Sequence, residues 1–172
     1  SSLTLDTYYK TSADIIGNVN YLYRDGAPDK MGNMTGAYRG SSLSVMNMVT
    51  GYFVNEYEGQ EVDCSYARQL TRQDFTQSCC NYLTNDTWKS CYKSINVANA
   101  VIKYVDGVEM DNQAQYKAEA RFFRALNYFY LVKMFGDVPM VTEPTEDATL
   151  VEYPTRTAAS EVFNTVIIPD LQ

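Results

Sequence analysis

Residues 117–145 read KAEARFFRALNYFYLVKMFGDVPMVTEPT, and the fold turns on how this stretch is read. From Tyr116 to Phe135 there is neither glycine nor proline, so nothing breaks a helix. Ala118, Phe122, Ala125, Phe129 and Val132 recur at three- and four-residue steps, and Phe123, Leu126, Tyr130 and Met134 do the same on a second face. Two apolar faces on one rod predict neighbours on both sides. Lys133 in the last turn, Gly136 just beyond it and Pro139 three positions later mark the end. Asn112 is expected to cap the start with its side chain, with Gln115 reaching back in a capping box.

Working backwards, Trp88, Cys91, Tyr92, Ile95, Ala98, Ile102 and Val105 draw one stripe on a helix expected over 86–105. Asp106-Gly107 stops it, with Gly107 suited to a left-handed closing residue. The short link to the next helix forces the two to pack antiparallel as an αα-hairpin. Asn99 lies within the apolar stripe, where an unpaired amide would be costly, so it is expected to bond a neighbouring backbone or side chain between helices. An earlier helix is expected over 12–24, with Ile15, Ile16, Val19, Leu22 and Tyr23 inward. A last one starts near Thr157 and carries Val162, Phe163, Val166, Ile167 and Leu171, with Pro169 inside it. The fold class is therefore all-α.

Between these helices run two irregular tracts, 24–42 and 56–85, with a short helix expected over 43–53. Long loops in a compact domain usually carry function. The tract from Tyr57 to Tyr82 interleaves rings with planar hydrogen-bonding groups, Gln69 and Arg72 included, and Tyr57, Asp63, Tyr66, Arg68, Asn81 and Tyr82 are the candidate ligand-binding residues. The opposing reading is a loop that only covers the first hairpin.

Composition narrows the chemistry. Histidine is absent, which removes the commonest general base, the commonest metal ligand and every Ser-His or Cys-His nucleophile. Cys64, Cys79, Cys80 and Cys91 contain no C-x-x-C pair, so no metal site is expected and the thiols read as apolar fillers first and disulfide partners second, with three pairings that the sequence does not choose between. Glu61 and Asp63 could be imagined as an acid pair, but two residues apart in a loop they have no fixed geometry. No catalytic residue and no cofactor are expected. A net charge of −7 repels a phosphate backbone, so nucleic acid is not an expected partner. Fifteen tyrosines supply amphipathic rings suited to wet binding surfaces and equally to helical cores. The rings of Phe122, Phe123, Tyr128, Phe129 and Tyr130, and Trp88, are read as packing; Arg121 and Arg124 as structural, solvated or paired at the surface near Glu119; and Gly136-Asp137-Val138-Pro139 as a turn.

Residues 117–145 closely resemble the signature of the SusD/RagB family: a helix AEA-x-F-x-RA-x-x-Y followed by L-V-x-x-F/Y-GDVP and a threonine-rich extended segment. Trp88, Tyr92, Ile95, Asn99 and Ile102 look like that family's upstream W-x3-Y-x2-I-x3-N-x2-I helix, and Arg156, Val162, Phe163 and Asp170-Leu171 like its next one, from which Pro169 departs. Tyr9-Lys10-Thr11 leading to Asp14 is similar to the family start.

The resemblance implies a tetratricopeptide-like helix-hairpin bundle with long irregular loops. It implies residues 1–172 as an amino-terminal domain cut at 172, with a carboxyl-terminal portion beyond. It further implies a lipid-anchored protein on the extracellular face of the outer membrane, attached through an amino-terminal anchor missing here. Such a protein binds oligosaccharides without catalysis and serves a SusC-like TonB-dependent transporter. The alternative is a peptide or protein interaction module of a nutrient-uptake complex, since stacked hairpins also form concave surfaces for extended chains.

Overall fold

A computed structural model describes residues 4–24, 47, 49–52, 69, 71–74, 78–146 and 155–172, with the backbone alone for 78–84 and 86. The chain divides into two compact units, Ser1–Gly26 with Cys91–Gln172, and Ala27–Ser90. Among the described residues the regular structure is helical, with one isolated antiparallel bridge between Val138 and Thr157.

In the first unit a short helix, α1 (Leu5–Tyr8), leads into α2 (Ser12–Tyr23). Thr11 and Asp14 cap α2 reciprocally: the Asp14 amide donates to the Thr11 hydroxyl at 3.3 Å, and the Thr11 amide to the Asp14 carboxylate at 2.8 Å. The Thr11 hydroxyl, donating to the Asp14 carboxylate at 2.7 Å, does most to hold that carboxyl below its usual range, and the Thr11 and Lys10 amides add to it. Ile15, Val19 and Leu22 are buried, whereas Ile16 is half-buried and Tyr23, expected inward, is exposed. Tyr23 sits at the edge of the packed face, where its ring meets Phe123 edge-on with centroids 4.7 Å apart.

Helix α3 (Ser78–Tyr104) begins well before the expected Asp86. No glycine or proline lies between Ser78 and Tyr104, so nothing stops the helix growing backwards from its packed end. A 3₁₀ turn, Val105–Gly107, ends it through Val108 N–H to Val105 C=O at 3.1 Å. Gly107 is therefore not left-handed; the tightened last turn satisfies the carbonyl instead.

Helix α4 (Gln113–Phe135) starts at Asn112, which is itself left-handed with φ of 62° and makes no side-chain cap. The expected capping box does not form, because Gln115 bonds Glu119 along the helix at 2.9 Å. Gln113 closes the corner instead, donating to the Val105 and Val108 carbonyls. At the other end Gly136, with φ of 72° and ψ of −123°, receives the chain as it leaves the helix. Few residues other than glycine tolerate that backbone.

Three contacts fix α3 and the 3₁₀ turn that ends it against α4: Lys117 with Asp106 of the turn, Arg124 with Asn99, and the rings of Tyr128 and Tyr92 with centroids 6.3 Å apart. Position numbers rise on one helix as they fall on the other, so the pair is antiparallel as expected. Ala120, Phe123, Ala125, Tyr128, Leu131 and Val132 of α4 are buried. The expected seams are corrected in part: Ala118, Phe122 and Phe129 are exposed and Tyr130 half-buried, although Ala125 and Val132 of the first seam are buried and the exposed Phe129 ring still meets Phe163 of the last helix edge-on at 6.2 Å.

The last helix has three parts: α5 (Ala159–Val162), a π turn (Phe163–Ile167) and α6 (Ile168–Asp170). Pro169 can neither donate to the carbonyl four residues back nor fit its ring against it, and the widened π turn takes up that misfit. Asp137 caps α5 from across the turn, its carboxylate accepting from Ala159 N–H at 2.9 Å, while Arg156 donates to the Asp137 carbonyl at 2.6 Å. Cys91 is buried as a thiol. No described helix is long and apolar enough to cross a membrane.

Candidate functional site

A polar spine runs through the first unit. Asp170, only 8% exposed, accepts from Arg124 twice, at 2.7 and 2.8 Å, and from Arg121 at 3.4 Å. Arg124 also donates to Asn99 Oδ1 at 3.0 Å, and Arg121 to the Pro169 carbonyl. The two arginines are structural, as expected, but their partner is a buried carboxylate of another helix rather than Glu119. Asn99 Nδ2 continues the chain to the Val141 carbonyl at 3.1 Å. This is the interhelical bonding expected of Asn99.

Around that spine the extended segment after α4 is held by side chains that imitate a strand partner. Tyr128 Oη donates to Val141 C=O at 2.7 Å and accepts from Val141 N–H at 2.6 Å. Asn96 does the same for Thr145, at 3.0 and 2.8 Å, and Tyr92 donates to the Pro139 carbonyl at 2.6 Å. Burial lifts the phenols of Tyr92 and Tyr128, the latter to about 12. The signature residues are thus spent on scaffold.

In the unit Ala27–Ser90 the described residues form two turns and the first half of α3. Thr50 donates to the Asn47 carbonyl through both its N–H (3.2 Å) and its hydroxyl (2.6 Å), and that hydroxyl accepts from Tyr52 N–H at 3.3 Å. Gly51, at φ of 80°, lets the chain reverse, so of the short helix expected over 43–53 the described residues show one helical position, Asn47, and a turn over 49–52. Tyr52 emerges from this turn 90% exposed. A second turn closes through Asp74 N–H to Gln69 C=O at 2.9 Å and carries exposed Arg72; Gln73, left-handed at φ of 55°, ties it to the first by donating to the Val49 carbonyl at 3.2 Å. A ring presented to water on a pinned turn offers a flat apolar face with a polar tip.

Of the candidate residues, Tyr57, Asp63, Tyr66 and Arg68 lie outside the described residues, as does Glu61. Asn81 and Tyr82 fall on the first turns of α3 rather than in a loop, a correction that follows from the earlier helix start. Trp88 is half-buried. Tyr52 escaped the sequence reading, although Thr50-Gly51-Tyr52, a glycine beside an aromatic, was the available signal. Among the described residues no group of three or more His, Cys, Asp and Glu could hold a metal ion.

The first unit also holds a concavity of about 480 Å³ between the first turn of α2 (Ser12, Ile16), the link before α4 (Glu109, Met110, Asp111, Asn112) and Tyr116. Among the described residues its polar lining carries carboxylates, an amide and a hydroxyl but no Lys or Arg.

Residues 28–172 match the model of the family described as starch-binding and associating with the outer membrane, the SusD-like type. The SusD-like protein P2 of Formosa agariphila is 26% identical over 172 residues, which is 99% of this chain and 32% of that protein. The SusD-like protein P25 of the same organism is 41% identical over 63 residues, 35% of this chain and 12% of that one. The crystal structure of a SusD superfamily protein from Parabacteroides distasonis ATCC 8503 superposes with a TM-score of 0.66 at 25% identity, covering 91% of this chain and 32% of the other. The chain therefore spans about a third of the length of these relatives.

Proposed function

Because the chain belongs to the SusD-like family of starch-binding proteins associated with the outer membrane, we propose that it binds glycans there without chemically altering them. The observation that carries this is the family match over residues 28–172. It is supported by Tyr52, a ring held out on a turn whose backbone is bonded to its neighbours. The tract that follows, with Tyr57, Asp63, Tyr66, Arg68, Asn81 and Tyr82, supplies further rings and planar polar groups for the same glycan. The bound oligosaccharide passes to a SusC-like TonB-dependent transporter, the protein being held to the extracellular face by a lipid anchor. Residues 1–172 act as the amino-terminal domain of a longer polypeptide whose remainder completes the pocket, in keeping with relatives about three times as long.

Electrophoresis of the intact protein through gels containing starch or other neutral polysaccharides tests the reading. Retardation by at least one polysaccharide is expected. Tyr52→Ala should weaken it by roughly fivefold, the value of one lost ring contact. Unchanged mobility across the panel contradicts the proposal, and saturable binding of a peptide in place of sugar would favour the protein-interaction alternative.

A further inference from the structure

The concavity at the start of α2 and α4 has a lining whose chemistry points to one class of guest. Glu109 and Asp111 bring carboxylate acceptors, while Ser12 and Asn112 bring groups that both donate and accept. Neither acid enters an ion pair among the described residues. Asn112 is free of helix capping, since its side chain makes no cap bond, and its left-handed backbone places it on the corner itself. Tyr116, Ile16 and Met110, each half-buried, form the apolar part of the wall.

An anion is repelled by this surface, because among the described residues two carboxylates and no cation line it. A purely apolar guest would strand the polar groups without partners. A ring of hydroxyls above C–H faces satisfies both parts of the wall, since each hydroxyl can donate to a carboxylate and accept from the amide while the C–H face lies on Tyr116.

We propose that this groove is a second saccharide subsite, separate from the tyrosine-rich tract, and that it selects uncharged pyranose units over uronate or sulfated ones. The inference rests on the glycan-binding reading and adds a place and a charge preference to it. A volume of about 480 Å³ is within the range of small-ligand pockets.

Hydrogen–deuterium exchange of the intact protein, with maltoheptaose or with an oligogalacturonate of matching length, tests it. Maltoheptaose should slow exchange in residues 12–16 and 109–116, and the oligogalacturonate should not. Asn112→Gly retains the left-handed backbone at no steric cost and removes only the amide, and Asp111→Ala removes an exposed acid; each should weaken binding at the groove about fivefold, one hydrogen bond's worth. Slowed exchange confined to the region of residues 47–74 overturns the inference and leaves the glycan reading standing, as does protection of the groove by the charged sugar. No binding of either sugar overturns the inference, and the glycan reading falls with it only if the polysaccharide panel also shows no retardation.

Discussion

Asp170 and Arg124 form a two-pronged ion pair, Nε to Oδ2 at 2.7 Å and Nη2 to Oδ1 at 2.8 Å, with the carboxylate side chain only 4% exposed. The pair lies between helices that are remote in sequence and touches Asn99 of a third. Fork-to-fork geometry of this kind fixes orientation as well as distance. It sets the angle at which the last helix lies on α4.

Removing one member should therefore cost more than the pair itself is worth, because the other charge is left buried. Arg124→Ala or Asp170→Ala should each destabilise the fold by about 3–5 kcal/mol, whereas replacing both with apolar residues of similar volume should cost much less. Urea denaturation of the two single variants and the double variant measures the difference. Equal and additive losses would show that the pair is not a coupled unit.

Two glycines separate backbone need from helix propensity. Gly136 has φ of 72° and open space where a Cβ would stand, so Gly136→Ala should lose about 1–3 kcal/mol through backbone strain alone. Gly17 lies inside α2, exposed, with the same open space beside its Cα, so Gly17→Ala should gain about 0.5–1 kcal/mol. Opposite shifts of the melting temperature are expected, and shifts of the same sign would refute this reading.

The tyrosines set an alkaline limit. Burial raises Tyr9, Tyr92 and Tyr128, the last to about 12, and the hydrogen bond to Asp6 raises Tyr104 to about 12. A phenol whose folded pKa is raised stabilises the fold fully below the unfolded value, about 10, and loses that contribution as pH climbs through the folded value. Spectrophotometric titration should show a class of tyrosines whose ionisation is delayed to about 12, with the buried Tyr128 titrating together with unfolding. Complete ionisation without a delayed class would contradict the buried network.

The hairpin was legible because α4 is bounded by strong punctuation, a glycine after Phe135 and no breaker before it, and because Tyr92, Ile95 and Asn99 repeat at helical steps. Its details were less so. Periodicity locates apolar faces but not which are covered, so Phe122 and Phe129 read as core while lying exposed. Nor does a polar run such as Thr84-Asn85-Asp86 announce that the helix already passes through it. Asp170 gave no hint of being the arginines' partner, since the contact spans 46 positions and no local pattern encodes it. The site was read from residue types alone, and Tyr52 was missed because a turn shows its use only once Gly51 is seen at positive φ.

The central claim is that the intact protein captures a glycan and returns it unchanged. Isothermal titration with starch-derived and other oligosaccharides, followed by chromatography of the recovered sugar, tests it most directly. Saturable heat with at least one sugar and an unaltered chromatogram is the expected result; no heat across the panel, or shortened products after incubation, would contradict it.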